Sequence, residues 1–306
     1  MRKIWIVGAV LALAVSACER TQEVSTSERC LTAEEAEAKI EACTAAAQDA
    51  SLTPEQRSVA FSTRGEAQEE AGDVTAALRD YGAAVELDGE NPAALVGRGR
   101  ILLASGQLDA AEPAVRRAIE LNQAAEAYLI LGQIQVRRGE FSEAITSFNT
   151  ALSHEPRSAV ALAGRARAKQ RLNDLEGAAN DYDQAIRADG NLAEARAGRC
   201  WLDLNEERQL DRARQDADAA ATADPRNVEG QLCRGILQLR EGQWADAKIS
   251  FEAALAVESG NPIALFGRGV ARRRSGDRDG TEDMNQARDF DGNIGQQFDR
   301  LGVRTY

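Results

Sequence analysis

From about residue 55 to residue 292 the chain repeats one arrangement of small, apolar and polar positions every 33 to 35 residues. A first small residue recurs at Gly65, Gly99, Gly132, Ala166, Cys200, Gly235 and Gly269. A second follows some twelve residues later, at Ala77, Ala111, Ala144, Ala178, Ala213, Ala247 and Gly280. A third stands seven further on, at Ala84, Ala118, Ala151, Ala185, Ala220, Ala254 and Ala287. Small residues in this register let two antiparallel helices approach closely, so each period predicts one helical hairpin, and stacked hairpins form a solenoid. The expected fold is all-α.

Turn chemistry supports the hairpins. Gly72, Gly106, Gly139, Gly242 and Gly276 each follow the first helix of a repeat, where a left-handed C-terminal cap favours glycine. Repeat four has Asn173 instead, and repeat five has the longer run Asn205-Glu206-Glu207-Arg208. Pro92, Pro156, Pro225 and Pro262 fall at or near turns between repeats, where a proline precedes or opens a helix. Pro113 falls within the first turns of a second helix, a place where a kink would arise.

The ends differ from the repeats. Arg2 and Lys3 precede an apolar run from Ile4 to Val15, the order of a secretory signal and too short to span a bilayer. Its end, Val15-Ser16-Ala17-Cys18, is similar to the lipobox of bacterial lipoproteins, and the resemblance implies lipidation of Cys18 after loss of residues 1–17. Ordinary cleavage after Ala17, giving a soluble periplasmic chain, is the alternative. Residues 18–31 are polar and read as a tether. Thr32 and Glu35 have the spacing of a capping box, which places an N-terminal capping helix over residues 32–53. Residues 54–292 hold the seven repeats, and residues 293–306 form a C-terminal cap in which Ile294, Phe298 and Leu301 share a helix face.

The repeats resemble the tetratricopeptide repeat family, whose period is 34 residues. The family's aromatic slot, four residues after the second small one, holds Tyr81, Val115, Phe148, Tyr182, Ala217, Phe251 and Met284, and its closing proline appears at Pro156 and Pro225. The resemblance implies a right-handed superhelical solenoid with a concave groove for protein or peptide partners. It also implies which positions face that groove. These hold Glu66, Glu69 and Glu70 at the entrance, then Arg100, Arg137, Arg167, Arg171, Arg240, Arg273 and Arg274. Trp201, Leu204, Ile236 and Leu239 would form an apolar centre for an anchoring side chain. Arginine recognises carboxylates in bidentate fashion, so an acidic or C-terminal peptide segment is the expected ligand, against a merely solvated arginine-rich face. The lysine and asparagine slots of the chaperone-tail carboxylate clamp are not matched.

A second arginine set has a structural reading. Arg64, Arg98, Arg165, Arg199, Arg234 and Arg268 stand just before the first small residue, and Asp80, Asp181, Asp216 and Asp283 just before the aromatic slot. Their co-occurrence in four repeats predicts a bidentate bridge between the helices of one hairpin. Of five cysteines, four remain after Cys18. A helix running from Thr32 would hold Cys43 about 15 Å along its axis, beyond the roughly 7 Å between bridged Cα atoms, so Cys30 and Cys43 pair only if the helix starts later. Cys200 and Cys233, on adjacent first helices, either form a bridge or remain buried thiols.

The net charge of −12 argues against nucleic acid as a partner. The one histidine, His154, lies in a turn between repeats, which leaves no ready base for a nucleophile. No metal-ligand spacing, phosphate loop or hydrolase elbow is present, so no catalytic residue, metal or cofactor is expected. The expectation is a non-enzymatic docking scaffold, anchored to the bacterial outer membrane and facing the periplasm, with an inner-membrane or soluble periplasmic site as the alternative. A component of an outer-membrane or secretion assembly, working through its convex face, is the competing role.

Overall fold

The computed structural model describes residues 25–122 and 124–304, and among them every regular element is a helix. The signal segment and Cys18 lie outside the described residues. A short pair, Thr26–Thr32 (α1) and Ala36–Gln48 (α2), comes first. Three hairpins follow: Pro54–Glu70 (α3) with Val74–Leu87 (α4), Pro92–Ala104 (α5) with Leu108–Asn122 (α6), and Ala125–Arg138 (α7) with Phe141–His154 (α8). Four more complete the seven: Ala159–Arg171 (α9) with Leu175–Ala188 (α10), Ala193–Asn205 (α11) with Leu210–Ala223 (α12), Val228–Arg240 (α13) with Trp244–Val257 (α14), and Pro262–Arg274 (α15) with Gly280–Phe290 (α16). Ile294–Arg300 (α17) closes the stack, with Ile294 and Phe298 buried. Each first helix packs on its own second helix and on the first helix of the next repeat, which produces a superhelix.

The turns form as the residues dictate. Gly72, Gly106, Gly139, Gly242 and Gly276 sit in the left-handed region with φ between 77° and 85°, and Asn173 replaces them at φ 65°. Asn91, Asn227 and Asn261 cap the first helices α5, α13 and α15 through their side chains, accepting from the N–H groups of Ala94, Gly230 and Ala264. The long turn of repeat five places Glu207 and Gln209 at φ 50° and 44°, a conformation that costs side-chain-bearing residues free energy. Helix α6 continues through Pro113.

The N-terminal helix starts differently from the sequence expectation. Thr32 ends α1 instead of capping a long helix: its hydroxyl donates back to the Glu28 carbonyl, and the backbone is extended at Ala33 and Glu35 before α2 begins. This break brings Cys30 and Cys43 to 4.4 Å between Cα atoms in a disulfide. Part of the expected tether is therefore helical. Residues 26–32 have too little apolar surface to pack alone, and the buried disulfide supplies the attachment, with the Thr26 hydroxyl donating to Asp49 at 2.6 Å.

The core is alanine-rich because rings fill the space between helices. In repeats one, three, four and six the aromatic residue lies against a glycine of the next repeat's first helix, two positions before its first small residue. A Cβ added at Gly97 would meet Cζ of Tyr81 at 2.3 Å, and one at Gly164 would meet Cζ of Phe148 at 2.5 Å. The same holds for Gly198 against Tyr182 at 2.4 Å and Gly267 against Phe251 at 2.3 Å. In repeat five the three corresponding positions are Cys200, Ala217 and Cys233, and the two cysteines are joined by a disulfide with 6.5 Å between Cα atoms.

All four expected Arg–Asp bridges form in bidentate geometry. Arg64 donates to both oxygens of Asp80 at 2.6 and 2.8 Å, and Arg165 to both of Asp181 at 2.7 Å. Arg199 holds Asp216 at 2.7 and 2.8 Å, and Arg268 holds Asp283 at 2.8 and 2.6 Å. The third guanidinium nitrogen reaches back to the preceding hairpin, to Thr44, Asn149 and Asp183 from Arg64, Arg165 and Arg199. One residue thus ties both helices of its repeat to the repeat before. Burial opposes the charge of Arg199, but hydrogen bonds to Asp216 and Asp183 outweigh it and hold its pKa above the ordinary arginine value. Arg234, whose repeat lacks the aspartate, donates to Ser250 and Gln231.

Candidate functional site

Two adjoining hollows occupy the inner face of the stack and share Arg167, Tyr182 and Glu229. The larger encloses about 410 Å³. One wall is Arg167, Gln170 and Arg171 at the end of α9, the floor is Gly198 and Trp201 of α11, and the far wall is Val228, Glu229 and Leu232 of α13 with Ile263 of α15. The smaller, about 140 Å³, lies between Arg137 and Val136 of α7, Gly164 of α9 and Glu194 of α11. These side chains converge because first helices point the same face inward, repeat after repeat.

The inner arginines are engaged in differing ways. Arg100 pairs with Glu69 at 3.1 Å and Glu126 at 3.4 Å, so the acidic entrance is partly neutralised. Burial pushes the Glu66 carboxyl above the ordinary glutamate range, while Arg100 works the other way. Arg137 donates to the Leu103 carbonyl at 2.7 Å, a bond between adjacent repeats. Arg167 pairs with Glu229 across two repeats, passing over α11. Arg171 stands over the Phe141 ring at 4.8 Å and has no carboxylate within ion-pair distance among the described residues. Trp201 lies at the floor and donates through Nε1 to the Glu229 carbonyl at 3.0 Å. Beneath it, the Tyr182 hydroxyl has its pKa raised by burial and by the charge of Glu229.

The expected apolar centre is placed differently. Leu204, Ile236 and Leu239 are 1%, 0% and 2% exposed, so none of them offers a surface to a ligand. They belong to one hydrophobic cluster with Leu301 and Val303, because the segment after α17 folds back over the inner face of the last repeats. There Gly302 packs against the Arg240 guanidinium, and the Arg304 carbonyl accepts from Arg274 at 3.1 Å. Arg240 also lies 3.7 Å from Glu207, while Arg274 stands over Trp244 and Arg273 reaches the Met284 sulfur. Of the apolar residues lining the open hollow, Trp201, Val228 and Ile263 are partly exposed, while Leu232 is buried. Sequence register missed Val228 and Ile263, which sit at the starts of first helices rather than at the inner-face positions.

Stacked two-helix hairpins around a continuous inner groove place the chain among helical-repeat solenoids, a class that presents extended surfaces to other macromolecules. The chain belongs to the tetratricopeptide repeat family, whose sequence profile matches residues 62–123, 96–160 and 232–280. The Arabidopsis thaliana protein named CTR9 homolog is 30% identical over 167 residues, covering 54% of this chain. The match spans 12% of that relative's length. A tetratricopeptide repeat protein from Parabacteroides merdae superposes with a TM-score of 0.54 at 18% identity, over 80% of this chain and 98% of its own. PilF of Pseudomonas aeruginosa superposes with a TM-score of 0.55 at 16% identity, over 69% of this chain and 96% of its own. These two likenesses are of fold. The fold supports protein–protein interaction as the chain's work.

Proposed function

We propose that the chain is a docking scaffold of the bacterial cell envelope, held to the membrane by a lipid on Cys18, whose inner groove takes acidic peptide segments of partner proteins. One observation carries the ligand class: the Glu229 carboxylate already occupies the Arg167 guanidinium across the open hollow. An incoming carboxylate would take the place of Glu229, with Arg171 as a second cation and Trp201, Val228 and Ile263 receiving an adjacent apolar side chain. Two disulfides support an oxidising compartment. Among the described residues no helix is long and apolar enough to cross a membrane.

Fluorescence anisotropy with acidic peptides carrying one bulky apolar residue tests the groove. Arg167→Glu with Arg171→Glu is expected to weaken binding at least tenfold, about 1.4 kcal/mol; unchanged affinity would remove the reading. Labelled palmitate should enter the wild-type chain and not Cys18→Ser.

The outer face favours a second reading, as an assembly component. Ile249 is 60% exposed on α14 where other repeats carry Arg79, Thr146, Asn180 and Gln215, and Phe290 is 61% exposed at the end of α16.

A further inference from the structure

At the junction of repeats five and six the usual ring is missing. Ala217 stands in the aromatic slot, and Cys200 and Cys233 stand where small residues flank the ring in repeats one, three, four and six. In repeat one those neighbours are Gly65 and Gly97, and in repeat six Gly235 and Gly267, each pair lying against one ring. Two cysteines and an alanine are therefore a joint replacement for two glycines and a ring. The rest of α12 adds little apolar volume, since its buried apolar residues are Ala213, Ala217, Ala220 and Ala221. The turn leading into α12 carries Glu207 and Gln209 in the left-handed region.

We propose that the Cys200–Cys233 bond is the fastener of this junction in place of the ring, and that it puts the groove under redox control. Both sulfurs are fully buried, so exchange waits on local opening of the junction. A dithiol reductant then breaks the Sγ–Sγ bond and supplies two electrons and two protons. Thiols remain on Cys200 and Cys233, and the reductant leaves as a disulfide. With neither a bond nor a ring between them, α11 and α13 lose their closest tie. The larger hollow is built on that tie, because Trp201 and Leu232 each neighbour one of the cysteines and both line it. The claim about the junction stands without a ligand; its consequence for binding rests on the groove reading above.

Hydrogen exchange read by mass spectrometry on the full chain decides it, and needs no peptide. Cys200→Ser with Cys233→Ser is expected to speed exchange in α11–α13 by about tenfold or more, with α3–α9 unchanged and Cys30–Cys43 intact. A second variant, Cys200→Gly with Ala217→Phe and Cys233→Gly, copies repeat six. It is expected to restore wild-type protection in α11–α13 and to make that region indifferent to dithiothreitol. Wild-type protection in the serine pair would overturn the proposal, as would a glycine–phenylalanine variant that exchanges as fast as the serine pair or fails to fold. If the serine pair does not fold, the second variant alone decides, since only its ring is left to hold the junction.

Discussion

Asp181 shows what one buried carboxylate does in this chain. It accepts two bonds from Arg165 and lies 2.8 Å from Lys169, so its loss strands two cations at a largely closed interface. Asp181→Ala is expected to cost about 3–5 kcal/mol in denaturant unfolding, as for other broken buried pairs. Arg167→Ala, whose pair with Glu229 lies at the surface, should change stability by less than about 1 kcal/mol. That contrast separates structural from groove arginines by measurement. The structural set was legible because arginine and aspartate co-occur at two fixed slots. The groove set was legible only in part, since register names the inner face but not which of its residues neighbours cover. Asp203, fully buried and held in bidentate fashion by Arg212, escaped because this pairing occurs in one repeat and follows no period.

The glycines opposite the rings matter at the scale of the helix pair. Alanine at Gly97 would meet Tyr81 at 2.3 Å, so Gly97→Ala is expected to destabilise by about 1–3 kcal/mol through overpacking, read as a lower thermal midpoint. Gly82, whose added Cβ meets nothing within 4 Å, is the control: Gly82→Ala should be neutral or mildly stabilising by up to about 1 kcal/mol. The first helix is where pattern reading failed, since Thr32 and Glu35 imitate a capping box while the disulfide decides the geometry. Its docking has a pH signature. Hydrogen bonds from Ser51, then Thr26, hold the Asp49 carboxyl near pKa 2, below its ordinary 3.8. The folded value is the lower one, so this contribution is complete above the ordinary value and lost as pH falls through about 2. Exchange protection of α1 should therefore fall in that window, and Asp49→Asn should abolish the dependence.

For the whole molecule, hairpin number and hairpin order were legible because each repeat packs mainly on its neighbours and obeys the same spacing. The return of residues 301–304 onto the inner face was not, because it is a contact made once, outside the period. It closes the groove beside Arg240 and Arg274 and leaves open the hollow lined from repeat four to the start of repeat seven. A photocrosslinking amino acid placed in living cells at Asn205, on the rim of that hollow, and separately at Ile249, on the outer face, bears most directly on how the scaffold works. Partner crosslinks from Asn205, reduced by Arg167→Glu and Arg171→Glu, are the expected result. Crosslinks from Ile249 with none from Asn205 would contradict groove docking.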